Sequence, residues 1–185
     1  MNFGHSQNTV KCFSQDNITS LSFSRGIFFD KNLKIMNIDI VKTDSANKDF
    51  LKLVNDLDFY LAEIDGEEHS FYAQYNKVDT LKNCIIIYIN KEAVSCGAYK
   101  KYDDETVEIK RMYTKESFRG KGFAKMVLRF LEKWAKEEGY QKAVLETGER
   151  QVSAVELYKN SGYEITANYG QYENVENSIC FKKEL

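Results

Sequence analysis

The 185-residue sequence contains no proline, so no rigid proline-rich linker divides it, and its length suits a single domain. Its formal net charge is only −2, so no overall basic field would draw it to nucleic acid or to a membrane surface. The longest apolar run, 84–89, has the length of a strand and falls far short of the ~20 residues of a membrane span. We therefore expect a cytoplasmic protein without nucleic-acid or membrane partners.

Cysteine and histidine are also scarce, which argues against a metal site. The four cysteines lie far apart in the chain, at Cys12, Cys84, Cys96 and Cys180. They form no CxxC pair and no Cys/His cluster with zinc spacing, so we expect no metal and predict reduced, mostly buried thiols. His5 and His69 are isolated, and neither has a Ser or Cys partner at a diagnostic spacing.

Residues 1–35 differ in composition from the rest of the chain. They are rich in Ser, Asn and Phe and show no clear period beyond the short apolar run 27–29. No basic-then-apolar signal peptide is present, and a regular alternation of apolar residues begins only near Met36. We predict a poorly ordered N-terminal extension over 1–35 and one domain over 36–185, with Met36 as a candidate start of the native protein.

Hydrophobic periodicity predicts the order β-α-α-β-β-β-α-β-α-β-β in that domain. The predicted strands are 37–43, 83–89, 93–102, 106–114, 141–146, 163–166 and 178–183, and the predicted helices are 46–64, 66–80, 122–138 and 151–160. Short polar turns join the three strands between 83 and 114, which indicates an antiparallel meander. The pattern as a whole predicts an α/β fold, in which helices cover a mixed sheet.

The run Arg119-Gly120-Lys121-Gly122-Phe123-Ala124 links a predicted strand to the start of the predicted helix 122–138. Its two glycines permit a tight turn and a close approach to a ligand. The helix start has N–H groups without intrahelical partners, and the cations of Arg119, Lys121 and Lys125 flank it, which makes an anion cradle suited to a pyrophosphate. Neither the Walker pattern nor the three-glycine dinucleotide pattern fits. The alternative is a basic turn that merely begins a surface helix.

Two motifs carry a resemblance to a known family. The spacing of Arg119, Gly122 and Ala124 resembles the acyl-CoA-binding loop of the GNAT superfamily of N-acetyltransferases. The run Ala154-x-x-Leu157-Tyr158-x-x-x-Gly162-Tyr163 resembles a second helix of that superfamily, and the element order over 36–185 is that of the GNAT fold, a mostly antiparallel sheet flanked by helices. The resemblance implies acetyl-CoA as cosubstrate and direct transfer of its acetyl group to a primary amine of a small molecule or a protein. Dimers are common in the superfamily, so a homodimer is the assembly to test for.

The resemblance also implies two catalytic residues. In the family, the phenol at the position of Tyr158 protonates the departing thiolate, although an apolar stripe alone would make Tyr158 a core residue. The histone acetyltransferase branch has a catalytic glutamate at the offset of Glu108 from the loop, and a carboxylate there would deprotonate the amine. The alternative for Glu108 is an ion pair with Lys110 or Arg111 on the sheet surface, and Glu146 is the reserve base. Strand alternation places Glu108, Lys110, Met112 and Thr114 on one face.

For the coenzyme, the resemblance implies contacts from the loop and from the end of the preceding strand. A backbone amide there bonds the acetyl carbonyl, and others pair with the pantetheine arm. The implied residues are Met112, Tyr113, Thr114, Arg119, Gly120, Lys121, Gly122, Phe123, Ala124, Lys125 and Gln151. Gln151 stands where many family members have Asn, which leaves that contact open.

Three questions stay open at this level. The polar, aromatic run 168–172, followed by Asn177 and Ser178, is either a glycine turn with surface tyrosines or a wall of the acceptor site. The sequence does not choose among polyamines, amino acids, aminoglycoside-like drugs and protein N-termini as acceptor. The rival functions are a non-catalytic acyl-CoA-binding sensor or interaction module and a nucleotide-binding protein of another fold, and the presence of Tyr158 and Glu108 favours the enzyme.

Overall fold

The protein is described by a computed structural model that covers residues 24–29, 35–65 and 81–185, with side chains over 37–64 and 81–185. The strands are β1 (Ser24–Phe29), β2 (Ile35–Thr43), β3 (Asn83–Ile89), β4 (Glu92–Lys101), β5 (Thr106–Thr114), β6 (Lys142–Gly148), β7 (Glu164–Thr166) and β8 (Ser178–Glu184). The helices in these ranges are α1 (Lys48–Asp65), α2 (Phe123–Glu137) and α3 (Val152–Lys159), with short 3₁₀ turns at Glu116–Phe118 and Gly170–Tyr172.

The described strands form one eight-stranded sheet in the order β1-β2-β3-β4-β5-β6-β8-β7. Pairing is antiparallel from β1 to β5, which confirms the predicted meander, and it becomes parallel between β5 and β6. β8 lies between β6 and β7 and is antiparallel to both. The helix α2 makes the crossover from β5 to β6, as a parallel connection requires.

Two apolar clusters cover the two faces of the sheet. On one face, Val127, Leu128 and Leu131 of α2 pack against strand residues that include Ile85 and Ile109. On the other face, the α1 residues Phe50, Leu53 and Val54 pack over Cys84, Ile86, Cys96 and Ala98. The apolar stripes that the sequence shows on each helix are therefore the surfaces that the sheet buries.

The predicted α/β fold class is confirmed, and the structure refines its boundaries. The predicted extension over 1–35 contains β1, which pairs along its length with β2 at the edge of the sheet. Residues 1–23 and 30–34 of that extension, the predicted helix 66–80 and His69 lie outside the described residues. Cys84, Cys96 and Cys180 are free and buried, as predicted, and Cys12 is also outside the described part.

Candidate functional site

A cleft opens in the sheet where β5 and β6 separate. Their parallel pairing covers only three residue pairs and ends at Glu108 and Val144, although β5 continues to Thr114 and β6 to Gly148. The cleft is lined by Leu57, Leu61, Ile109, Lys110, Arg111, Met112, Glu146, Thr147, Gly148, Gln151, Tyr158 and Tyr172. Two strands that diverge expose backbone donors and acceptors that have lost a strand partner, so the cleft is suited to an extended ligand.

A β-bulge in β5 shapes one wall of this cleft. Ala98 pairs with Lys110 and Cys96 with Tyr113, so Gly97 alone faces both Arg111 and Met112. Arg111 has a left-handed backbone with φ of 58°. A Cβ on Gly97 would lie 2.4 Å from Met112 Sδ and 2.8 Å from Val127 Cγ1, so only glycine leaves room for the bulge to close against α2.

The bulge corrects the predicted alternation along β5. Met112 packs with Ile109 in the cluster under α2, whereas Tyr113 packs with the cluster under α1. Met112 and Thr114 therefore do not share the face of Glu108 and Lys110, because the extra residue shifts the side-chain phase by one position. Gly97, a glycine inside a strand pattern, is the signal in the sequence for this irregularity.

The backbone of β5 beyond the bulge presents groups to the cleft. The N–H of Lys115 donates to the carbonyl of Val94 on β4 at 2.9 Å. The carbonyl of Thr114 instead accepts a hydrogen bond from Arg119 Nε at 3.1 Å, on the side away from β4. Because backbone groups alternate between the two edges of a strand, those of Met112 and Thr114 face the cleft.

The glycine loop has the geometry of an anion-binding helix start. Gly120 and Gly122 have φ of 73° and 84°, a region that glycine adopts without a steric penalty. A Cβ at either position would meet no described atom within 4 Å, so the space beside both glycines is open. The N–H of Met126 donates to Gly122 at 3.0 Å, which leaves the N–H groups of residues 123–125 ahead of the first intrahelical bond.

The side chain of Arg119 contacts β5 and α1 and so stabilises the position of the glycine loop. Its Nε bonds the Thr114 carbonyl, and its guanidinium carbon lies 4.4 Å from the ring centroid of Tyr60 on α1 and 5.9 Å from that of Tyr113. These contacts hold the loop against both β5 and α1. Since the residue is exposed, its charge still contributes to the positive potential at the loop.

Lys121 and Lys125 also stay beside the loop. Lys121 Nζ donates to the Ser117 carbonyl at 3.0 Å, and Lys125 Nζ donates to the Asn160 carbonyl at the end of α3 at 3.2 Å. An ammonium group has three donors, so each lysine keeps hydrogen-bonding capacity after that contact. Arg119, Lys121 and Lys125 therefore each bond a backbone carbonyl near the α2 start.

Glu108 is buried under a network of cations and tyrosines. Its side chain is 1% exposed, with Oε2 at 2.9 Å from Lys100 Nζ and Oε1 at 3.4 Å from Lys110 Nζ. The hydroxyl of Tyr169 donates to Oε1 at 3.4 Å, and Lys110 also donates to the hydroxyl of Tyr172 at 3.0 Å. The alternative interpretation named Lys110 correctly, but the pair is buried rather than on the sheet surface.

Glu146 differs from Glu108 because it lines the cleft itself. The hydroxyl of Ser178 on β8 donates to its Oε1 at 2.6 Å. A short hydrogen bond of this kind fixes one carboxylate oxygen in place. Glu146 therefore presents a partly exposed carboxylate on the β6 side of the cleft.

Tyr158 of α3 and Met112 of β5 both line the cleft. Its ring packs edge-on against Tyr163, with centroids 5.9 Å apart, and tilted against Phe181, with centroids 5.8 Å apart. Burial raises the pKa of the Tyr158 phenol above its ordinary value of ~10, and the negative charge of Glu146 adds to that shift. The phenol therefore keeps its proton throughout the neutral range.

The 168–178 segment supplies an aromatic wall. Tyr172 is buried and lines the cleft, while Tyr169 packs edge-on against both Tyr172 and Tyr102, with centroids 5.8 Å and 5.2 Å apart. Asn168 ties the segment to its own turn by donating to the carbonyls of Val175 and Ser178. The structure thus brings Tyr172 of this segment, Glu146, Tyr158 and Gln151 to one cleft. Sequence reasoning missed Lys100, Leu57 and Leu61.

Comparison with known proteins shows the family to which this chain belongs. A sequence profile described as "Acetyltransferase (GNAT) family" matches residues 47–163, which is more than half of the chain. The chain therefore belongs to the GNAT family of acetyltransferases, and the predicted family is confirmed. Within the described residues, no helix is long and apolar enough to cross a bilayer.

Relatives and fold neighbours extend the comparison. The chain is similar to the Bacillus subtilis (strain 168) protein named "Uncharacterized N-acetyltransferase YsnE", at 35% identity over 51% of this chain and 64% of that protein, so the match covers less than two thirds of the relative. A solved Klebsiella pneumoniae structure, assigned provisionally as an acyl-CoA N-acyltransferase, superimposes with a TM-score of 0.68 at 26% identity over 80% of this chain and 97% of its own. A GNAT family acetyltransferase of Elizabethkingia anophelis, solved with acetyl-CoA bound, shares the fold with a TM-score of 0.59 at 24% identity, over 80% and 98% of the two chains.

Proposed function

We propose that this protein is an acetyl-CoA-dependent N-acetyltransferase that transfers the acetyl group directly to a primary amine. The observation that carries the proposal is the alignment of three features along one path. The open glycine loop at the start of α2 leads to the free edge of β5, and that edge leads to the cleft that holds Tyr158.

The loop and the β5 edge suit the two halves of coenzyme A. A pyrophosphate would take the free N–H groups at 123–125, where the helix dipole and the exposed cations of Arg119, Lys121 and Lys125 favour negative charge. The pantetheine arm would pair with the backbone of Met112 and Thr114 in the manner of an added strand. A coenzyme bound in this way would bring its thioester beside Met112, whose N–H would bond the acetyl carbonyl and stabilise negative charge that develops there.

The proton transfers assign roles to the cleft residues. The free amine attacks the thioester carbonyl carbon, so a C–N bond forms, the C–S bond breaks and the electron pair leaves on sulfur. Tyr158 then gives its proton to the thiolate. The raised pKa keeps the Tyr158 phenol protonated at neutral pH, so the proton is in place before the C–S bond breaks, although the same shift makes the phenol a weaker acid. No cysteine nucleophile is required.

Two residues, Glu108 and Glu146, are candidates for the base that accepts the amine proton. Glu108 is the residue to which the family resemblance points, but its two oxygens are held by Lys100, Lys110 and Tyr169 in a buried network. Glu146 lines the cleft and is partly exposed. A general base must reach the proton that it removes, either directly or through one water, so access favours Glu146.

The first experiment is calorimetric titration of the protein with acetyl-CoA, free coenzyme A and ATP. Micromolar binding of acetyl-CoA without binding of ATP would support the proposal. Binding of ATP instead would indicate a nucleotide-binding protein, and absence of any binding by folded protein would reject the coenzyme site.

A thiol-release screen over polyamines, amino acids, aminoglycosides and peptides with free N-termini then tests turnover. Coenzyme binding without release of thiol by any amine class would indicate a non-catalytic acyl-CoA-binding module. With an active amine in hand, Glu146→Gln should move the rate profile to higher pH, because the amine must then lose its proton to solvent. A shift in Glu108→Gln alone would return the role to Glu108.

A further inference from the structure

Arg111 is an unusual residue to find at the β5 bulge. Its φ of 58° lies in the left-handed region, and its side chain is only 2% exposed. Its Nη2 donates to the carboxylate of Asp58 on α1 and, at 3.4 Å, to the backbone carbonyl of Val54. Its Nε is buried without a hydrogen-bond partner among the described residues.

Each of these properties carries a free-energy cost. A long side chain at positive φ is strained relative to glycine, and a buried guanidinium must be paired to offset its lost hydration. A bulge alone requires neither property, because glycine or asparagine adopts this backbone more easily. The arginine is therefore held at the bulge by its pairing with α1.

The position of the pair connects the two sides of the cleft. Arg111 directly precedes Met112, and its own carbonyl accepts a hydrogen bond from Cys96 Sγ at 3.6 Å, so both its ends are fixed. Asp58 lies on α1 beside Leu57, which with Leu61 lines the cleft. A shift of α1 would therefore move the guanidinium, and a shift of the guanidinium would move the bulge.

We propose that Arg111 is a positioning residue, and that its pairing with Asp58 sets the direction of the Met112 N–H toward the acyl group. The inference rests on the proposed function, since it concerns the acetyl end of the same coenzyme site. The loop at 119–125 is a separate part of that site, so the pairing should affect the acetyl group and leave the hold on the phosphates unchanged.

The test compares the affinities of acetyl-CoA and free coenzyme A by calorimetry, which needs no knowledge of the acceptor. The main variant is the double change Arg111→Gly/Asp58→Asn. Glycine tolerates the left-handed backbone, and removal of both charges leaves no unpaired ion in the core. The matched control is Glu137→Gln, which breaks the helix-to-strand ion pair of Glu137 with Lys42 far from the cleft.

We expect the double variant to lose about three- to tenfold in affinity for acetyl-CoA relative to coenzyme A, the range that one neutral hydrogen bond supports. Arg111→Lys, which retains the charge but not the planar fork, should fall between the double variant and the parent. The Glu137→Gln control should leave the ratio of affinities unchanged.

Two outcomes would overturn the inference, and they are distinguishable. A folded double variant whose affinity ratio equals that of the parent would show that the pair only stabilises the fold. Failure of the parent protein to bind either coenzyme form would remove the proposed function itself and this inference with it. A thermal melt of each variant separates loss of folding from loss of the acetyl contact.

Discussion

Replacement of Gly97 by alanine tests the closure of the β5 bulge against α2. The added Cβ would lie 2.4 Å from Met112 Sδ, 2.8 Å from Val127 Cγ1 and 3.1 Å from Leu131 Cδ1. The Met112 sulfur lies near the end of a flexible side chain and can move, but Val127 sits on a buried helix face and moves only if α2 shifts. The substitution therefore overpacks the core in a place where relaxation also displaces Met112.

Two opposing terms set the size of the effect. Gly→Ala in an unstrained position stabilises by about 0.4–1 kcal/mol through the unfolded chain, whereas overpacking of a buried site costs about 1–3 kcal/mol. The net expectation is a loss of about 1–2 kcal/mol, which lowers Tm by about 2–8 °C for a domain of this size. Urea unfolding and a thermal melt measure it.

The control for stability is Gly148→Ala, since a Cβ there would make only an ordinary contact of 3.5 Å with Gln151 Nε2. The double variant Gly97→Ala/Met112→Ala should lose less stability than the sum of its single changes, because the smaller side chain relieves one of the three contacts. A Gly97→Ala protein as stable as the parent, or more stable, would refute the argument that close packing requires glycine at this position.

The remaining predictions concern the coenzyme loop, the proton donor Tyr158 and the stability of the fold at high pH. Gly122→Asp should abolish acetyl-CoA binding in calorimetry, because it places a negative charge and a strained Cβ where phosphate belongs, while Gly139→Asp, at another glycine of positive φ, should bind normally. Tyr158→Phe should lower kcat by ~10²–10⁴ with little change in coenzyme affinity, and an unchanged rate, or an equal loss in Tyr163→Phe, would make Tyr158 a core residue. Burial raises the pKa of five phenols, those of Tyr99, Tyr158, Tyr163, Tyr169 and Tyr172. Their contribution to the free energy of unfolding should therefore be fully present below pH ~10 and fall above it, because the tyrosines of the unfolded chain ionise first. Measurement of Tm from pH ~8 to ~11 checks this.

Local patterns predicted most of the fold well. The apolar stripe and flanking glycines placed the crossover helix at 122–138, and the structure has it at Phe123–Glu137. The bounds 106–114 of β5 were also correct. Both elements are indicated by local patterns, namely apolar residues at helical spacing, runs of β-branched residues and glycines at the element ends. A single sequence was therefore enough to predict their bounds.

The errors and omissions arose where distant segments meet. Strict alternation along β5 failed at Arg111, because the bulge depends on Gly97 in the neighbouring strand. The contact of Arg119 with Tyr60 and the pairing of Arg111 with Asp58 require knowledge of where α1 lies on the sheet. No local period reports such contacts, because the side chains involved are adjacent only after the helix has packed.

The placement of β8 between β6 and β7 has a consequence for synthesis of the chain. β6 pairs with β5 over only three residue pairs, and its other edge is covered over 142–148 by β8. The ribosome synthesises β8 only after α3 and β7. A nascent chain that has completed β6 therefore carries an unprotected strand edge next to a largely formed meander. Such edges favour intermolecular pairing, so a chain that is truncated before Ser178 should aggregate and be captured by chaperones.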